Sequence, residues 1–224
     1  MLGQTYAGTG SRVTVVHTLD QATTERFYEF YRAAFEPLLT RAAARHLLTP
    51  AEFAAEMTDP RVDKYVAWDG DTAVGITTVT TDLSAVPWIE PEFYLSRFPA
   101  EAARGALRYL GFTLVDPNAA TFRAFNDMME AAIGDMMAGR TVCGFDFCSF
   151  NSRGAVGRMV DMLPRRHGAA VTQLDVHRHY AIDLSDDAPA TPEVLDEQFY
   201  YLADFRNPTP PAARVPRSRT AVRA

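Results

Sequence analysis

Lysine is almost missing from this 224-residue chain: Lys64 stands alone, and the other 21 basic residues are arginine. With a formal net charge of −6 and a pI near 5.4, the chain offers no basic surface for nucleic acid. Cysteine is scarce too. Cys143 and Cys148 are an odd number of residues apart on one expected strand, so they point to opposite faces and do not pair. That usage fits a reducing, cytoplasmic setting. No apolar run approaches the roughly 20 residues that cross a bilayer, and the opening MLGQTYAGTGSR has no signal-peptide core, so no membrane role is expected. Glycine is absent at one telling place. LRYLGFTLVDPNAATFRAFNDMM, residues 107–129, reads as a strand, a turn and a helix, and a helix start after a strand is a ready anion site. The turn has no glycine to let its backbone close on a phosphate.

What is present is ordinary globular composition, 47% hydrophobic and 22% charged, enough for one sizeable core. RVTVVHTL, 12–19, is an expected strand. Phe27, Phe30, Tyr31, Ala34, Phe35 and Leu38 mark one face of a helix. Thr49 and Glu52 form a capping box around Pro50, opening a helix to about Thr58. A hairpin turns at Asp69-Gly70-Asp71. Residues 82–105, rich in aromatics and prolines, suit an ordered lid with a short helix. TVCGFDFCSF reads as a strand running into a helix capped by Asn151, with Val156, Met159, Val160 and Leu163 inward. Residues 171–184 alternate as a last strand. We place a first domain at 1–185 and a C-terminal helix with a Pro/Arg-rich arm at 186–224. That arm is too poor in apolar residues to fold alone and is expected to lie along a neighbour, another subunit of a homo-oligomer being one candidate.

The order β, α, α, β, β, β, α, β, α, β over about 12–185 resembles the GCN5-related N-acetyltransferase (GNAT) superfamily. YLGFTLVDP with its long helix looks like that family's fourth strand and pyrophosphate helix; CGFDFCSFNSRGAVGRMV looks like its fifth strand and the helix after it. The resemblance implies an α/β (α+β) fold, a GNAT-like mixed central sheet flanked by helices. It also implies an acyl-thioester donor held between the splayed strands four and five. The amides of Leu114 and Val115 would hold the pantetheine, and Asn118, Ala119, Ala120 and Thr121 would receive a pyrophosphate, with Asn151 opening the next helix. The family's phosphate-loop glycines and its common tyrosine acid are not matched here. An acyl-pantetheine brought by an acyl carrier protein fits such a loop better than acyl-CoA, since it needs no pyrophosphate grip. A small-molecule acceptor is expected, and no metal.

Four residues are candidates for the chemistry. Asp146, between Phe145 and Phe147, would be a partly desolvated general base, or a buried Asp bonded to backbone amides or an arginine. Glu90 and Glu92 lie before the strand and match the family's glutamate base by neighbourhood, or are solvated loop carboxylates. Cys148 is a nucleophile or a packing residue. Asp175, His177 and His179 share one strand face and are explained by solvation more simply than by a metal. The leading expectation is an acyltransferase of biosynthetic metabolism. The rivals are other chemistry on the same fold and a non-catalytic partner of a biosynthetic enzyme.

Overall fold

The computed structural model of the chain describes residues 4–7, 10–42, 47–116 and 121–152, and beyond them 157, 160, 162, 166–177 and 179; at 121, 122, 149 and 150 the backbone alone is described. The chain forms two compact units, Met1–Cys148 and Ser149–Ala224. The domain boundary expected at 185/186 and the whole C-terminal arm lie outside the described residues.

The first unit is built on a six-stranded sheet whose spatial order follows the sequence: β1 (Thr5–Ala7), β2 (Arg12–Val16), β3 (Val62–Asp69), β4 (Thr72–Thr80), β5 (Leu107–Val115) and β6 (Val142–Gly144). Neighbours are antiparallel except β5 and β6, which are parallel. Helices α1 (Gln21–Phe35) and α2 (Pro50–Thr58) separate β2 from β3. Two short helices, α3 (Pro91–Arg97) and α4 (Pro99–Ala103), precede β5, and α5 (Thr121–Ala138) links β5 to β6. This is a GNAT-like mixed sheet flanked by helices, as the resemblance implies. Among the described residues no helix is long and apolar enough to cross a membrane.

Local chemistry sets the element ends. Asp20 caps α1 by accepting the Thr23 N–H at 2.9 Å, and Thr49 and Glu52 complete the expected capping box of α2. Gly70 takes φ +57° in the β3–β4 turn, a left-handed conformation that glycine adopts without strain.

Alternation along the strands sorts the core into two layers. Tyr65, Ala67, Val13 and Val79 pack against Ala124, Met128 and Ala132 of α5. Val66, Ile76, Phe112 and Leu114 pack on the other face against Phe27 and Tyr31 of α1 and Phe53 and Met57 of α2. Each such large side chain contributes roughly 1.5–3 kcal/mol when fully buried. A third cluster, Leu83, Val86, Leu107 and Tyr109, anchors the segment before β5.

Several expectations are corrected. A short β1 precedes the first expected strand. The aromatic strand expected to run through Cys148 ends at Gly144, so Asp146 and Cys148 lie in irregular chain. Aromatic residues favour strand, but a strand also needs a ladder partner, and the pairing with β5 ends at Tyr109 and Gly144, next to a register shift between β4 and β5. In the second unit, α6 (Ser149–Ser152) begins two residues ahead of Asn151, which therefore sits within the helical turn rather than capping it. Val160 is buried there as expected; Val156, Met159 and Leu163 lie outside the described residues. Residues 171–177 form no strand, and Asp175 turns its carboxylate onto the N–H of Val176 at 2.7 Å. The rings of His177 and His179 touch at 4.7 Å, and no metal-binding group of three is present among the described residues.

Candidate active site

The sheet opens where β5 and β6 part. Their parallel ladder has three pairs, Leu107 with Val142, Arg108 with Cys143 and Tyr109 with Gly144, all at the N-terminal ends. The Leu110 backbone still hydrogen-bonds the Cys143 thiol of β6, and beyond it β5 continues to Val115 with no further pairing to β6. A bulge lies at the parting. Thr77 pairs with Thr113 but Val79 with Leu110, so β5 holds one residue more than β4 over this stretch, around Gly111. The Phe112 N–H faces β4, donating to Thr78 Oγ1 at 3.2 Å, and so does that of Asp116, donating to Val74 O at 2.8 Å. By alternation the Leu114 N–H also faces β4, whereas those of Thr113 and Val115 face the opening. Of the two amides expected to hold a pantetheine, Val115 is on the open edge.

A side chain at Gly111 would crowd the bulge. A Cβ built there would lie 2.5 Å from Thr78 Oγ1 and 3.8 Å from Glu56 Oε1. Glu56 comes from α2, and its carboxyl accepts a hydrogen bond from Thr78. Burial raises its pKa from 4.5 to about 7, against the opposing pull of the Lys64 charge and the Thr78 hydrogen bond. Lys64 is fully buried, and Nζ donates to the carbonyls of His17 and Asp59, both at 2.7 Å. Burial lowers its pKa from 10.5 to about 8, with Glu56, Asp59 and Asp63 resisting the change. A carboxyl that titrates near neutrality thus stands where the strands separate.

The sequence-derived candidates do not converge on one point. Asp146 is exposed rather than partly desolvated. Its Oδ1 accepts the Tyr109 hydroxyl at 2.6 Å and Trp88 Nε1 at 3.3 Å. Tyr109 is 1% exposed, and burial, then the Asp146 charge, pushes its phenol far up. Trp88 is 47% exposed and meets Tyr109 edge-on. Glu90 and Glu92 are both exposed; Glu90 caps α3 by accepting the Glu92 N–H at 3.3 Å. Cys148 is half-buried in the chain after β6. Cys143, on β6, has its thiol pushed up to about 12 by burial. Asn118, Ala119 and Ala120 lie outside the described residues, and Thr121 begins α5.

Glu56, Thr78, Gly111 and Lys64 were not singled out from sequence for the site. Two signals pointed to them: a glycine inside the apolar strand LRYLGFTLV, which marks a bulge, and a lone lysine inside a strand otherwise buried.

No protein-family model matches the chain, and no curated protein matches it. Among solved structures, one similar chain is an integron cassette protein from the mobile metagenome of V. cholerae, at 12% identity and TM-score 0.47, over 79% of this chain and 95% of that one. Another is an aminoglycoside acetyltransferase from an uncultured soil metagenomic sample, in complex with sisomicin, at 12% identity and TM-score 0.43, over 76% and 97%. A third is an acetyltransferase of Trypanosoma brucei, at 14% identity and TM-score 0.40, over 77% and 99%. At these values the likenesses assign no activity to this chain.

Proposed function

We propose that the chain is an acyltransferase, moving an acyl group from a thioester donor to an amine or hydroxyl of a small-molecule acceptor in cytoplasmic biosynthesis. The observation that carries this reading is the opening between β5 and β6 with Glu56 beside the bulge at its start. The donor enters the opening as an extended thioester, and the outward N–H groups of Thr113 and Val115 are available to it. The acceptor nitrogen or oxygen attacks the thioester carbonyl carbon, and Glu56 takes the proton that the acceptor loses. The new C–N or C–O bond forms, the C–S bond breaks, and the thiolate leaves and is protonated. A base that titrates near 7 suits this work at neutral pH. An amide N–H aimed at the carbonyl oxygen stabilises the charge that develops there.

The sequence between β5 and α5, residues 117–120, includes no glycine, which favours a carrier-protein pantetheine over free acyl-CoA. The test is thiol release from acetyl-CoA, longer acyl-CoAs and acyl-pantetheine on a carrier protein, across a panel of small amines and alcohols. Acceptor-dependent release, stronger with the carrier-bound donor, is the expected result. Thiol release that no acceptor increases, with any of these donors, contradicts the proposal.

A further inference from the structure

On the α5 side of the sheet, the face opposite Glu56, lies a recess of about 290 Å³. Asp63 and Tyr65 of β3, Arg108 of β5, His17 and Asp135 of α5 line it, with Val79 and Met136 as apolar wall. The charges there are arranged unusually. Asp135 is held by the hydroxyls of Tyr6 and Tyr65, the latter at 2.9 Å. Asp63 Oδ1 meets His17 Nδ1 at 2.9 Å. Arg108 Nη1 donates to the carbonyls of Gly105 at 2.9 Å and Leu107 at 2.8 Å. Among the described residues Arg108 forms no ion pair with Asp63 or Asp135, although all three line one recess.

Arg108 is near enough for its charge to favour the ionised Asp63, yet the two form no close ion pair, and such an arrangement selects for a ligand that bridges them. A simple anion would be repelled by two carboxylates, and a simple cation by Arg108. A molecule carrying both charges satisfies both walls. We propose that this recess binds a free α-amino acid with a small side chain, its carboxylate on Arg108, its ammonium on Asp63 and its side chain against Val79 and Met136. Few polar groups converging on a partly apolar concavity are what small-molecule sites present. The site lies across the sheet from the reaction opening, because Asp63 and Lys64 are consecutive on β3 and point to opposite faces. Binding here needs no acyl donor, so its test does not depend on the proposed reaction.

The experiment is differential scanning fluorimetry of the full chain with glycine, L-alanine, L-serine or L-valine, and with propionate and ethylamine as the two halves of alanine. At ten times Kd an amino acid raises Tm by about 3–6 °C, while propionate and ethylamine at the same concentration do not. Arg108→Met and Asp63→Asn each weaken the binding at least tenfold by calorimetry, and Glu56→Gln leaves it unchanged. Where a variant does not fold, the wild-type protein decides: the His17 ring signals in NMR shift on adding the amino acid and not on adding either half. If no amino acid binds at 50 mM, or either half binds as well as alanine, the recess is not such a site.

Discussion

Thr78 joins Glu56 to the backbone of β5: its oxygen accepts the Phe112 N–H at 3.2 Å while its hydroxyl hydrogen-bonds the Glu56 carboxyl. The bulge at Gly111 and the position of the acid are therefore one arrangement, and a change in either disturbs the other.

Gly111→Ala sets a methyl 2.5 Å from Thr78 Oγ1, and Thr78 must move. Overpacking of this kind costs about 1–3 kcal/mol, and urea unfolding should show a loss in that range. Gly134 is the control. It is exposed within α5, and a Cβ there meets nothing within 4 Å. Gly134→Ala should stabilise the chain by about 0.5–1 kcal/mol through helix propensity.

Glu56 makes folding stability depend on pH with a definite sign. Its folded pKa, about 7, lies above the ordinary 4.5, so the folded state holds the proton more tightly. The associated stability is complete below about 4.5 and is lost as pH rises through 7. Lys64 titrates near 8, with the opposite sign because its folded pKa is lowered, and is mostly charged only up to about pH 7. Asp63, also raised by burial, adds a loss of the same sign as Glu56, so the comparison must be with a variant. Glu56→Gln, neutral throughout, should be less pH-sensitive than wild type between pH 5 and 7 by about 2 kcal/mol. Parallel stability curves for the two proteins would show that Glu56 ionises as freely in the fold as in the unfolded chain.

Asp146 accepts hydrogen bonds from Tyr109 and Trp88 and is exposed, which makes it a support for the aromatic wall. Asp146→Asn keeps an acceptor oxygen for both donors. Once turnover is measured, kcat should fall less than about tenfold, with KM for the acceptor changing more than kcat. A 10²–10⁴-fold fall in kcat with the fold intact would instead make Asp146 the base.

Much of the fold was legible because its signals are local. The capping box at Thr49 and Glu52, the turn at Gly70 and the helix that follows β5 all read directly. The course of β6 did not. Phe145 and Phe147 have strand propensity, but whether they pair depends on β5, a distant segment whose ladder with β6 stops at Tyr109. They stack on each other instead, at 6.2 Å. The site was hidden for the same reason. Glu56 looks like one more polar residue on an amphipathic helix, and only the packing of α2 over β4 and β5 brings it to Thr78 and Gly111. Asp146 drew notice through its aromatic neighbours, yet the chain beyond the strand carries it out to solvent.

The central claim is that Glu56 accepts the acceptor's proton at the parting of β5 and β6. The most direct test is kcat/KM for acyl transfer from pH 5.5 to 8.5, in wild type and in Glu56→Gln. The account predicts a wild-type profile that rises with an apparent pKa near 7, and a variant that is folded, 10²–10⁴-fold slower and without that rise. A Glu56→Gln enzyme that keeps both the rate and the rising limb would contradict it.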